Sequence, residues 1–258
     1  MLIPGYHAAI QSIPAGKKMI KEVWIAEGKT SKRASRVEKL AQAHGIKISY
    51  KSKAELDSLL PGISHQGIVL LAEDFKYTDL EQAVQLAGDS LGQPIFVIAD
   101  HITDEGNLGS IIRTSAFFGI SGLIIPKDRS ASVSPRVLKR AVGCHLYLPI
   151  SRVVNLSRAL DYLEQKEFWI IGAAGEANKS IYDYDWQGPT ALVVGSEDKG
   201  LSQGIRKKCH ELLSIPSYGG IDSLNVGVAT GIILAEARRR SLSRRQGNGV
   251  SVQRPATD

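Results

Sequence analysis

The sequence predicts an α/β protein in two parts, a small basic α/β domain followed by a larger domain built on a mostly parallel sheet. Three observations predict it. From Pro94 onward, short and wholly apolar runs alternate with helical stretches, the pattern of a parallel sheet covered on both faces. Some of these runs give way to turn-rich segments at Asn107-Leu108-Gly109, Gly195–Gly200 and Ile215-Pro216, the kind of strand-end turn at which α/β proteins hold ligands. Residues 1–53 carry eleven lysines and arginines against three acids, a surplus of eight in a chain whose net charge is +6.

The first domain is expected over residues 1–75. Val23-Trp24-Ile25 is an apolar run of strand formers, 31–44 reads as a helix stopped by Gly45, and Ile46–Tyr50 as a strand. A helix over 53–60 is broken by Pro61-Gly62, and Gly67–Ala72 forms another strand. Residues 76–93 are the expected linker, acidic at Asp79, Glu81 and Asp89, with a short helix at 79–87. In the second domain, residues 94–242, strands are expected at Ile95–Ala99, Leu123–Ile125, Leu146–Ile150, Phe168–Ile171, Ala191–Val194 and Leu212–Ile215. The helices between and after them fall at 107–118, 134–143, 153–166, 202–209 and 224–240. Past Arg240 the composition turns to Ser, Arg, Gln, Gly and Asn, so residues 243–258 are expected to be a disordered basic tail.

Composition bounds the function. A chain of 258 residues, 43% apolar and 22% charged, has enough residues to bury its cores without metal or disulfide staples. No apolar run approaches the length of a membrane span, and Met1–His7 lacks a basic stretch followed by an apolar one, so a cytoplasmic location is expected. Cys144 and Cys209 stand far apart and outside metal-type spacing, which argues against a disulfide framework and a zinc site. The basic N-terminal segment would attract a polyanion by counterion release, with RNA or DNA the natural partner; charge alone fits a solvated basic face equally well.

The common nucleotide sites fail on mechanical grounds. No G-x-G-x-x-G occurs, so the turn that brings backbone to a dinucleotide pyrophosphate is missing. Gly195–Gly200 has the glycine spacing of a phosphate-binding loop, but Leu201 stands where a lysine is needed, and Glu197 and Asp198 would repel phosphate. Neither G-x-S-x-G nor H-E-x-x-H is present, which weakens hydrolase readings. A cationic, adenosine-bearing cofactor without phosphates suits these segments better, because Gly-rich turns after buried strands can hold adenine through backbone amides and carbonyls. S-adenosylmethionine has that chemistry.

The three segments read Asn107-Leu-Gly-Ser-Ile-Ile-Arg113, then Val194-Gly-Ser-Glu197-Asp-Lys-Gly200, then Ile215-Pro216 followed by Ser223-Leu224-Asn225. Together with Gly5-Tyr6-His7-Ala8 and His65-Gln66-Gly67-Ile68, they resemble the signature of the SpoU (TrmH-like) family of SPOUT RNA methyltransferases over roughly residues 1–240. The resemblance implies a deep trefoil knot in the C-terminal domain, an N-terminal domain that binds RNA, and a homodimer with the active site at the subunit interface. It implies S-adenosylmethionine held at Val194, Gly195, Gly200, Ile215 and Leu224, with no metal, no DNA and no membrane involved. The implied reaction methylates a ribose 2′-hydroxyl, that of a guanosine in 23S ribosomal RNA. A tRNA ribose target and a non-catalytic RNA-binding or ribosome-assembly role stay open at this point.

The resemblance makes Arg113 the candidate general base, although a guanidinium stays protonated to above about pH 12. An RNA phosphate that aligns Arg113 with the 2′-hydroxyl would let proton loss accompany attack rather than precede it. Asn107 either caps its helix or positions the arginine, and Glu197 orients the arginine or the substrate. Ser223 and Asn225 flank Leu224 at the start of the last helix, where caps are also ordinary. Two departures stand out: Gly227 where many relatives carry a second Ser, and Glu105-Gly106 in place of the Pro often found before the motif-one Asn. His7 and His65 are RNA contacts or structural groups; Trp24, Trp169 and Trp186 read as core or interface residues. Arg238–Arg240 reads as the end of a helix, complementing its dipole.

Overall fold

The computed structural model describes residues 1–16, 18–28, 31–88, 93–220 and 223–247, apart from the side chains of 245–247. Its N-terminal part comprises β1 (Leu2–Pro4), α1 (Tyr6–Ala15), β2 (Ile20–Ala26), α2 (Lys32–Ala43), β3 (Lys47–Lys51), α3 (Lys53–Leu59) and β4 (Ile68–Ala72). The sheet runs β1-β4-β2-β3, with β2 and β3 parallel and β4 antiparallel to both β1 and β2. Ile13 and Val37 of the first two helices share a core with Val23, Ile25 and Leu70, while Leu56 of α3 packs with Ala26 and Val69. Ser31 caps α2 by accepting from Ala34 N at 3.1 Å, and Ser52 with Glu55 forms a capping box on α3.

β1 and α1 have no counterpart among the expected elements. The strand has three residues and is held by its register with Val69–Leu71, some 65 residues away, and by Ile3 in the core. Gly5 turns the chain between strand and helix at φ 105°, a value that favours glycine.

The second part holds α4 (Leu80–Gly88), β5 (Ile95–Asp100), α5 (Glu105–Phe117), β6 (Gly122–Pro126), α6 (Pro135–Ala141), β7 (Ile150–Val153), α7 (Leu156–Gln165) and β8 (Trp169–Ala173). β9 (Lys179–Ser180), β10 (Thr190–Gly195), α8 (Gln203–Arg206), β11 (Glu211–Ser214) and α9 (Val226–Gly247) complete it. The sheet order is β7-β6-β5-β10-β8-β11-β9 and every pairing is parallel. Its strands are buried on both faces: Val97, Leu123 and Leu192 meet α5, α6 and α9, while Phe96, Ile124 and Val193 meet α4, α7 and α8.

Several boundaries differ from expectation. Leu146 and Tyr147 belong to a 3-10 turn, Cys144–Tyr147, and β7 begins only at Ile150, after Pro149, which has no N–H for a ladder. α6 stops at Ala141 because Val142 and Gly143 both turn left-handed, with φ of 53° and 80°. α7 starts at Leu156 behind its cap Asn155, which accepts from Arg158 N at 3.1 Å. The two-residue β9 is too short to leave a pattern. The expected linker carries α4, whose Leu80, Ala83 and Ala87 pack into the core of the large sheet; residues 89–92 lie outside the described residues. α9 continues to Gly247, so the first five residues of the expected tail are helical and 248–258 lie outside the described residues.

The N-terminal core reaches into the second part, because Leu138 of α6 joins it. Beside it His145 is buried edge-on to Phe75 with neither ring nitrogen hydrogen-bonded, and burial pushes its imidazole down to about 4. Among the described residues no helix is long and apolar enough to cross a membrane.

Candidate active site

The segments holding Asn107, Glu197 and Asn225 converge at the carboxyl ends of β5 and β10. β5 leads into α5, whose cap is Asp104: its Oδ1 accepts from Asn107 N at 2.7 Å. Asn107 is therefore inside the first turn, and its side chain is free to reach across. Its Nδ2 donates to Glu197 Oε1 at 3.1 Å, and its Oδ1 accepts from Asn225 Nδ2 at 2.8 Å. Asn225 Nδ2 also donates to Glu197 Oε1 at 2.6 Å, as does Val226 N at 3.1 Å. Asn225 in turn caps α9, its Oδ1 accepting from Gly227 N at 3.0 Å and Val228 N at 3.4 Å. Glu197 thus stands at the positive end of a long helix, and among the described residues its carboxylate accepts three N–H groups and no cation.

Glu197 does not hydrogen-bond to Arg113, so the expected direct orientation of that arginine is not what the structure holds; the carboxylate instead joins α5 to α9. Arg113 lies on the exposed side of α5 and faces a cleft of about 930 Å³ between α5, α6 and α9, with Asn225 and Gly227 at one side. Among the described residues no hydrogen bond or ion pair engages its guanidinium. It opposes the burial that pushes the Cys144 thiol up. Ser223 is exposed and makes no hydrogen bond among the described residues.

Gly195 ends β10, and a Cβ there would overlap the carbonyl of Gly200, so the chain closes on itself at a distance only glycine allows. Gly200 returns with φ 61° and donates its N–H to Ser196 O at 2.8 Å. Val194 is buried in the strand, Ile215 lies just past β11 against the core, and Leu224 is 47% exposed immediately before α9. These five positions, on the ends of β10 and β11 and the approach to α9, offer backbone groups and an apolar side chain, which fits an adenosine-bearing group and offers no cation for a phosphate.

The profile of the SpoU rRNA Methylase family matches residues 94–235, and that of the RNA 2′-O ribose methyltransferase substrate-binding domain matches residues 2–78. The chain belongs to the SpoU family. Among similar relatives, the 23S rRNA (guanosine-2′-O-)-methyltransferase RlmB of Pseudomonas syringae is 35% identical over 95% of this chain and 97% of its own. RlmB of Escherichia coli is 36% identical over 93% and 98%. Among solved structures, the SpoU methyltransferase AviRb from Streptomyces viridochromogenes in complex with the cofactor AdoMet superposes with a TM-score of 0.74 at 25% identity, over 94% of this chain and 91% of that one.

In this SpoU chain, three residues at the site escaped the sequence reading. Asp100, 1% exposed at the end of β5, accepts from Ser202 N at 2.7 Å and pairs with His101 Nδ1 at 2.5 Å, tying β5 to the segment after β10. An acid ending a wholly apolar run was the available signal. Ser110 and Arg140 meet beside Arg113 and carried no signal, because α6 reaches α5 only through the fold. His65, 3% exposed, is structural: its Nδ1 accepts from Gly67 N at 3.0 Å, so Nε2 carries the proton donated to Asp57 at 2.8 Å. Arg238 is in mid-helix rather than at a helix end, and donates to Phe118 O and Gly119 O at the C-terminus of α5.

Proposed function

We propose that this protein transfers a methyl group from S-adenosylmethionine to the ribose 2′-hydroxyl of a guanosine in 23S ribosomal RNA. The observation that carries it is the union of Asn107, Glu197 and Asn225 through one carboxylate oxygen, with Arg113 on the next turns of the same α5. Bound at the ends of β10 and β11, the cofactor supplies a sulfonium methyl open to displacement. Val194, Gly195, Gly200, Ile215 and Leu224 would hold it. Arg113 would align the ribose 2′-oxygen for in-line attack on that methyl and stabilise the charge that develops on the oxygen, with the hydroxyl proton passing to solvent water, since the guanidinium is already protonated. Glu197, Asn107 and Asn225 hold α5 and α9 in register so that Arg113 keeps its aim; Ser223 lies beside the same mouth.

Further readings accompany this one. Residues 1–75 form the RNA-binding domain and 94–242 the methyltransferase domain, knotted where the segments after β10 and β11 cross. Phe117, 82% exposed, together with Val228, Ile232 and Ala235, makes the cleft between α5 and α9 apolar on one side, as a face covered by a second copy would be. The protein works as a homodimer in the cytoplasm. The test is methyl transfer from labelled cofactor to unmodified 23S rRNA and to bulk tRNA, mapped by resistance of the modified linkage to alkali. Label at one guanosine ribose of 23S rRNA is expected; label only in tRNA would overturn the target, and none in either would overturn the activity.

A further inference from the structure

Among the described residues the cleft between α5, α6 and α9 is lined by two guanidiniums, Arg113 and Arg140, and by no carboxylate. Both are exposed, and among the described residues neither has an ion pair. Among the described residues some other arginines find acids, as Arg206 meets Glu176, Arg239 and Arg240 share Glu236, and Arg244 meets Asp185, while Arg33, Arg36, Arg129 and Arg158 stand exposed without an ion pair; what sets Arg113 and Arg140 apart is that they share one cleft. Two like charges in one cleft without a counter-charge are favourable only when an anion joins them.

Arg140 is also built to present its charge. Its stem lies on the bare backbone of Gly109, where a Cβ would come within 2.5 Å of the Arg140 Cβ, so the α5–α6 approach fixes the base of the side chain. Its Nε donates to Ser110 Oγ at 3.2 Å, and Ser110 Oγ donates to Gly106 O at 2.9 Å. One edge of the guanidinium is thereby oriented by a neutral hydroxyl, and its terminal nitrogens remain for a planar, two-point contact with phosphate oxygens. Gly227 keeps this arrangement open, because a Cβ there would stand 2.8 Å from Ser110 Cβ.

We infer that Arg140 binds the RNA phosphodiester adjoining the target ribose, with Ser110 as its positioning residue, so that the backbone is clamped beside Arg113. The inference rests on the reading of the protein as an RNA methyltransferase and adds a phosphate site to it.

The test uses the full chain and an unmodified 23S rRNA transcript, measuring RNA affinity against KCl concentration and steady-state methyl transfer for wild type, Arg140→Ala, Arg140→Lys and Ser110→Ala. Loss of one phosphate contact should reduce the slope of log affinity against log salt by about 0.7 to 0.9 in Arg140→Ala. KM should rise about tenfold in that variant while kcat changes little, as for a lost charge-assisted bond made equally before and during reaction. Arg140→Lys should keep the slope, and Ser110→Ala should keep it while raising KM less. An unchanged slope and KM in Arg140→Ala would overturn the site, as would a lowered thermal midpoint with the slope intact, the result of a purely structural role. Wild-type RNA binding with the Arg140-dependent slope but no methyl transfer would leave the phosphate site standing and sink the enzymatic reading; methyl transfer indifferent to Arg140 would do the reverse.

Discussion

Two glutamates show how the two halves of the molecule use charge. Glu22, on β2, accepts from the Ser49 hydroxyl, from Trp24 Nε1 at 2.9 Å and from Lys47 Nζ at 2.9 Å. The Ser49 bond first, then those of Trp24 and Lys47, hold its carboxyl down at about 2. The cluster is complete, with an acid and a base closing β2 against β3. Among the described residues Glu197 accepts only from amide N–H groups, and Arg113 and Arg140, which line the cleft with Asn225, have no ion pair. Glu22 is satisfied within its sheet and ties β2 to β3; Glu197 ties two helices together beside a cleft whose two arginines would be met by an anion from outside the chain.

The sharpest test of that contrast is Arg113→Ala. It should lower kcat by about 100-fold or more, in the range for loss of a donor that stabilises developing charge, while leaving the thermal midpoint almost unchanged because no intramolecular bond is lost. A midpoint that falls along with activity would break the contrast. Glu197→Ala should do both: three donors lose their acceptor, and a loss of about 2 kcal/mol in urea unfolding should accompany at least about tenfold slower transfer. Glu197→Gln, which keeps one acceptor oxygen, should recover most of the stability. The smallest effect belongs to Glu22→Gln. A carboxyl held below its ordinary value near 4.5 adds stability above that pH and loses it as pH falls toward about 2. The stability difference between wild type and variant should therefore be constant at neutral pH and vanish across that window, as followed by urea midpoints at a series of acid pH values.

Much of the larger sheet was legible because its strands are buried on both faces and therefore read as unbroken apolar runs, Ile95–Ala99 and Ala191–Val194 most plainly. The grouping of Asn107, Glu197 and Asn225 was legible as motif resemblance, but their bonds were not, since each joins residues brought together only by strand order. β1 was hidden because three residues carry no periodicity and its pairing with β4 is remote. The seventh strand was misplaced because Leu146-Tyr147-Leu148 has the composition of a strand while Pro149 denies it a ladder bond. Arg140 was invisible for the same reason as the bonds of Glu197: its partner, Ser110, lies thirty residues back on another helix.

Asn225 lies 118 residues beyond Asn107 and 28 beyond Glu197, the two groups it joins. A growing polypeptide can therefore complete its N-terminal sheet, and most of the large one, before the last of these three side chains has left the ribosome. Since domains fold as units during synthesis, the junction of Asn107, Glu197 and Asn225 is the latest part of the molecule to take shape, and an unfinished chain carries its basic front half before α5 and α9 have been joined.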